Sequence, residues 1–101
     1  MDGTLGKRQA ALFQPDTEPN TVIPGTLPGY EESQALSINN SSLIVGFAHN
    51  PNPLYEYHDR AVLFDPSGDQ NNIDLGTLPG YEYSLGFCVN SKGQIVGRAQ
   101  P

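Results

Sequence analysis

The seven residues GTLPGYE occur twice in this chain, at 25–31 and at 76–82, 51 residues apart. Shifting the sequence by that distance aligns far more than the heptapeptide. QAALFQP at 9–15 falls on RAVLFDP at 60–66, and SINNSSLIVGFA at 37–48 falls on CVNSKGQIVGRA at 88–99. Residues 8–48 match 59–99 without a gap, and about 18 of the 41 pairs are identical. An ungapped match of that length is an internal duplication, and a period of this size points to a solenoid, a propeller or an array. The sequence thus reads as a single domain, 1–101, with one repeat at 8–48, a connection at 49–58 and a second repeat at 59–99.

Each repeat divides into four short extended runs. The first is 9–14 (copy 60–65), the second 21–27 (copy 72–78), the third 33–38 (copy 84–89) and the fourth 43–48 (copy 94–99). Turn residues separate them. PDTEPN and PSGDQN bend the chain through Pro, Asp, Asn and Gly. NNSS and NSKG read as hairpin turns. In PGY, Pro stands at the second turn position and Gly at the third, as a type II turn requires. GTLPGYE is therefore read as a hinge between a second and a third strand. No segment keeps a helical period of apolar residues, so the predicted class is all-β.

These runs resemble the HAF-type repeat of bacterial, often exported, proteins. That repeat reads approximately HAFLW, then DLGTLGG, then A-x-x-IN-x-x-GQIVG. Here QAALF and RAVLF occupy the first element, IPGTLPG and DLGTLPG the second, INNSSLIVG and VNSKGQIVG the third. The chain departs from the pattern where Gln9 and Arg60 replace the His, where Phe13 and Phe64 replace the Trp, and where Pro28 and Pro79 split the glycine pair. The resemblance implies a β-propeller-like blade and an exported or extracellular protein. It implies no reaction. The opening MDGTLGKRQAALF lacks the apolar stretch of a signal peptide, so the expectation is a protein that is not exported or one whose leader has been removed.

Two blades are too few for a closed ring, which typically has about four to eight. Each blade would leave an apolar face open. The chain is therefore expected to assemble with copies of itself, a trimer or tetramer being favoured over a dimer. The blades are placed at 8–48 and 59–99, because 49–58 is the longest connection and an outer-to-inner link has the farthest to travel. Ala10, Ala11 and Ala61 are small enough for a crowded axis. The competing arrangement is a two-sheet β-sandwich with the repeats related by a pseudo-twofold axis.

The net charge is -6, and the five Lys and Arg are dispersed. A nucleic-acid binder needs a basic stripe, so neither nucleic acid nor an anionic membrane is expected as a partner. No apolar run approaches the ~20 residues that cross a membrane. Cys88 is the sole cysteine, which excludes an intrachain disulfide and an all-cysteine metal site. It lies in strand context and is read as a buried thiol. No nucleophile elbow, phosphate loop, metalloprotease motif or dinucleotide fingerprint occurs, and no cofactor, metal site or catalytic residue is assigned. His49 and His58 flank the connection and read as exposed loop residues. Asp65, Asp69 and Asp74 lack the EF-hand spacing and read as turn formers. Asn39 and Asn40 open NNS and NSS triplets and read as hairpin residues.

The remaining candidates for ligand binding are Tyr30 with Glu31 and their copies Tyr81 with Glu82. A phenol ring beside a carboxylate can stack on a sugar face and accept its hydroxyl bonds. Tyr55, Tyr57 and Tyr83 add aromatic surface. The bland reading is a Tyr that plugs the groove between blades. Three functions follow in order: a non-catalytic, self-assembling interaction module for a protein or cell-surface partner; a carbohydrate-binding lectin using the Tyr–Glu turns; and a small hydrolase. A hydrolase site would lie where the repeat breaks, at His49, His58 and Cys88.

Overall fold

The computed structural model describes residues 7–16, 18, 20–51 and 58–101. Among them are eight strands and no helix. Strands β1 (Leu12–Phe13) and β2 (Thr21–Val22) form one small sheet. Strands β3 (Glu32–Ile38), β4 (Ile44–His49), β5 (Arg60–Phe64) and β6 (Ile73–Asp74) form a second, in that order. Strands β7 (Tyr83–Val89) and β8 (Ile95–Gln100) form a third. All neighbouring strands run antiparallel.

The strands thus lie close to their predicted places, but they are grouped differently. Neither four strands per repeat nor a two-sheet sandwich describes the grouping, which is two, four and two. The four-stranded sheet takes its β3 and β4 from the first repeat and its β5 and β6 from the second. The cause is the long pairing of β4 with β5, from Ile44 opposite Phe64 to Ala48 opposite Arg60. Successive side chains of a strand point to opposite faces. Ile44, Ala48, Val62 and Phe64 pack with Ala10 and Leu27 in one cluster, and Leu12, Tyr30 and Ala35 close around it. Val45 and Ala61 are buried as well, and Ala61 lies close to Gly86 of β7. Covered on both sides, β4 and β5 bury most of the apolar runs IVGFA and AVLF.

The segment 49–58 therefore joins adjacent strands of one sheet, not two blades as its length suggested. The change of sheet is made instead by the two GTLPGYE segments. In each the Pro-Gly pair forms the expected turn: Gly29 and Gly80 have φ of +87° and +81°, and the N–H groups of Tyr30 and Tyr81 bond to the carbonyls of Leu27 and Leu78 at 3.0 and 2.9 Å. That φ favours glycine because a Cβ there is strained.

A buried serine ties each crossover down. Ser33 Oγ accepts the Ala10 N–H at 3.0 Å and donates to the Gly25 carbonyl at 2.6 Å. Ser84 Oγ does the same 51 residues on, with Ala61 at 2.9 Å and Gly76 at 2.6 Å. Their own N–H groups reach the carbonyls of Arg8 and Asp59. The register slips between Ala35 and Ser37 in one hairpin, and between Gly86 and Cys88 in the other. Opposite these bulges stand Gly46 and Gly97, where a Cβ would run into the carbonyls of Gln34 and Leu85. The glycine of each IVG run is there for that close approach.

The turns also repeat. Asn39 Oδ1 accepts the N–H groups of Ser41 and Leu43, and Asn90 Oδ1 those of Lys92 and Gln94. Both asparagines are hairpin residues, and Asn39 Nδ2 further donates to the Asn90 carbonyl at 2.8 Å. Asp65 Oδ1 accepts from the N–H and hydroxyl of Ser67, which holds its carboxyl below the ordinary range. Asp74 Oδ1 caps the Gly76 N–H at 2.7 Å.

Candidate functional site

The two Tyr–Glu pairs start from the same turn and meet different surroundings. The Tyr30 ring closes the side of the core, and its hydroxyl donates to the His58 carbonyl at 2.6 Å. Burial raises its pKa, with the nearby Arg60 guanidinium opposing, so the phenol is held as a hydrogen-bond donor. Glu31 donates its N–H to Asn50 Oδ1 at 2.9 Å and its carboxylate pairs with Lys7. Asn50 Nδ2 then reaches back to the Gly29 carbonyl at 3.1 Å. The first pair is thus bound into the fold.

The second pair is open. Tyr81 and Glu82 are exposed. The Glu82 N–H bonds to the Gln100 carbonyl at 3.1 Å, and its carboxylate lies 3.2 Å from His58 Nε2. The His58 ring also tilts against Tyr83, with centroids 4.5 Å apart. His58 therefore joins Tyr30 of the first repeat to Glu82 and Tyr83 of the second. His49 Nδ1 sits 2.6 Å from Asp59 Oδ1. Both histidines, read from the sequence as exposed loop residues, are partly exposed and each meets a carboxylate, and His49 closes β4 rather than standing in a loop. Sequence reading missed Asn50 and Asp59, which lie in or beside the connection and have no counterpart motif. Tyr55 and Tyr57 lie outside the described residues.

The three residues that break the repeat do not converge. Tyr83, which carries the His58 ring, opens β7, and Cys88 lies near its far end. At the rise of an extended strand that is about 17 Å. Cys88 is exposed, not buried, and its sulfur is 3.9 Å from Ser37 Oγ, its own copy. Position 88 follows the bulge, whose extra residue turns the side chain out of the core. Among the described residues no group of three His, Cys, Asp or Glu side chains could hold a metal, and no helix is long and apolar enough to cross a membrane.

Two open grooves are mainly apolar. A groove of about 360 Å³ runs along β7 and β8 and is lined by Ala61, Leu78, Leu85, Ile95, Gly97 and Ala99, among others. A second, of about 300 Å³, lies between β1 and β3 and includes Phe13, Leu36 and Ile38. Neither is lined by Tyr30, Glu31, Tyr81 or Glu82. No family model matches the chain, and no curated protein or solved structure matches it.

Proposed function

We propose that this chain is a non-catalytic, self-assembling β-repeat module of the HAF type, which builds a propeller-like ring from several copies and presents it to a protein or cell-surface partner. One observation carries the reading. The first and last sheets have only two strands each, and large apolar residues stand exposed on them: Phe13 on β1, Val96 on β8, and Leu78 beside β8 in the groove. Exposed apolar surface of this kind marks an association site. The bound state of Tyr30 favours a structural plug over a sugar platform, and the separation of Cys88 from both histidines favours a scaffold over a hydrolase. The eight described strands of one chain are enough for two four-stranded blades, so two, three or four chains supply four, six or eight blades, within the usual range of closed rings of about four to eight.

Multi-angle light scattering of the purified chain tests this. A discrete oligomer is expected, with three or four copies favoured. A sharp 10.9 kDa monomer persisting at about millimolar concentration would overturn it, since one kcal/mol-scale apolar contacts per exposed side chain should already drive association at that strength.

A further inference from the structure

The internal pairing of β4 with β5 specifies how one copy meets the next. Shifting the core cluster Ala10, Leu27, Ile44, Ala48, Val62 and Phe64 by the 51-residue repeat carries its first four members onto Ala61, Leu78, Ile95 and Ala99. Those four residues line the open groove along β7 and β8. The last two members, Val62 and Phe64, are themselves second-repeat residues. Their counterparts lie one repeat earlier, at Ala11 and Phe13. Phe64 is 2% exposed, and Phe13 is 73% exposed. The groove along β7 and β8 therefore repeats the lining of the first core without a plug, and the residue equivalent to the plug stands exposed on β1.

We propose that β1 of a second copy of this chain docks against the free edge of β8, completing a four-stranded sheet in the order β7, β8, β1, β2 and seating Phe13 in the groove. This rests on the self-assembly reading and adds the surface, the partner and the register. Among the described residues, strand β8 is six residues long and paired on one side only, to β7. Strand β1 is likewise paired only to β2. A long unprotected apolar edge is a template for another strand. Transferring the β4–β5 register gives Ile95 opposite Phe13, Val96 opposite Leu12, Gly97 opposite Ala11, Arg98 opposite Ala10 and Ala99 opposite Gln9 of the second copy. Because the two edges differ, the contact is head-to-tail: it closes into a ring or runs on as a filament.

Two measurements test the pairing. Phe13→Asp alters a side chain that a single copy leaves in water, so the fold is retained by circular dichroism and light scattering falls from the oligomer to the single-chain mass. The second uses cysteines in a Cys88→Ser background. Gln9→Cys with Ala99→Cys forms interchain disulfides on mild oxidation. Gln9→Cys with Arg98→Cys does not, because a one-residue slip puts the side chains on opposite faces. An oligomer that survives Phe13→Asp, or equal cross-linking by both cysteine pairs, overturns this pairing and leaves self-assembly through another surface standing. A monomeric unsubstituted chain overturns both.

Discussion

Phe64 and Phe13 occupy the same place in two copies of one sequence unit, and their environments are opposite. Phe64 lies in the middle sheet, where β1 and the first crossover cover it, and is almost fully enclosed. Phe13 lies in the two-stranded first sheet and is almost fully open. The same inversion separates Leu27 at 6% exposure from Leu78 at 56%, and Val45 at 0% from Val96 at 64%. The residue is the same and its local sequence closely similar within each pair, so local sequence does not by itself decide burial. What decides it is whether a next unit lies alongside, as in any repeat architecture whose stability is a sum over neighbours.

The largest test of that comparison is a matched pair of truncations. Phe64→Ala removes an enclosed ring and leaves a cavity, so it is expected to cost about 3–5 kcal/mol. That is a large part of a small domain's total stability. Phe13→Ala in a chain held dilute enough to stay single is expected to cost no more than about 0.5 kcal/mol. Chemical denaturation midpoints of the two variants measure the difference. Equal losses would mean that Phe13 is enclosed in the single chain, and the contrast between the middle and terminal sheets would fail.

A smaller effect probes where the two copies are alike. Ser33 and Ser84 make the same two bonds, each to an Ala N–H and a Gly carbonyl. Replacing either by Ala leaves a buried N–H without its acceptor, a cost of about 1–3 kcal/mol. The two variants are expected to lose similar stability in urea titrations. If Ser84→Ala is nearly silent, the third sheet frays independently of the rest, and the copies differ at their junctions as well as on their flanks.

The local half of this fold was legible in the sequence. Turn chemistry placed Pro28-Gly29 and Pro79-Gly80, and the hairpins at Asn39 and Asn90, because those signals act over a few residues. The turn residues between the duplicated apolar runs placed the eight strands seen among the described residues. The grouping into sheets was not legible. In a tandem repeat every cut through the period yields the same local signals, and only the long-range pairing of β4 with β5 fixes the phase. The length of 49–58 argued for the wrong cut because a long loop can also close a hairpin at small entropic cost. The cluster of Tyr30, His58, Glu82 and Tyr83 was invisible for a related reason. It forms because His58 meets Tyr30 of the first repeat and Glu82 and Tyr83 of the second, and no repeat signal marks His58 or Asp59. Cys88 was misplaced because its outward turn follows a bulge that alternation alone does not reveal.

The smallest expected effect contrasts two turns at equivalent positions. Asp65 opens the second-repeat turn, where its carboxylate accepts from Ser67 N–H at 2.9 Å, Ser67 hydroxyl at 2.7 Å and Asn71 N–H at 3.2 Å. Its copy in the first repeat is Gln14, which carries no charge to titrate. The bonds to Ser67, then that to Asn71, favour the ionised form and lower the folded-state pKa below its ordinary value of 3.8. A lowered carboxylate pKa contributes stability that is present above the unfolded value and is lost as pH falls through the folded one. Asp65→Asn keeps the side-chain shape, removes the charge and leaves Asn71 without its acceptor. The variant should therefore be slightly less stable than the parent at about pH 7, and the gap should narrow toward about pH 3. Urea midpoints at the two pH values measure it, with Gln14→Glu as the matched control in the other turn. A gap that stays constant with pH would show that the Asp65 charge does not support this turn, and the second-repeat turn would then be held by its backbone alone.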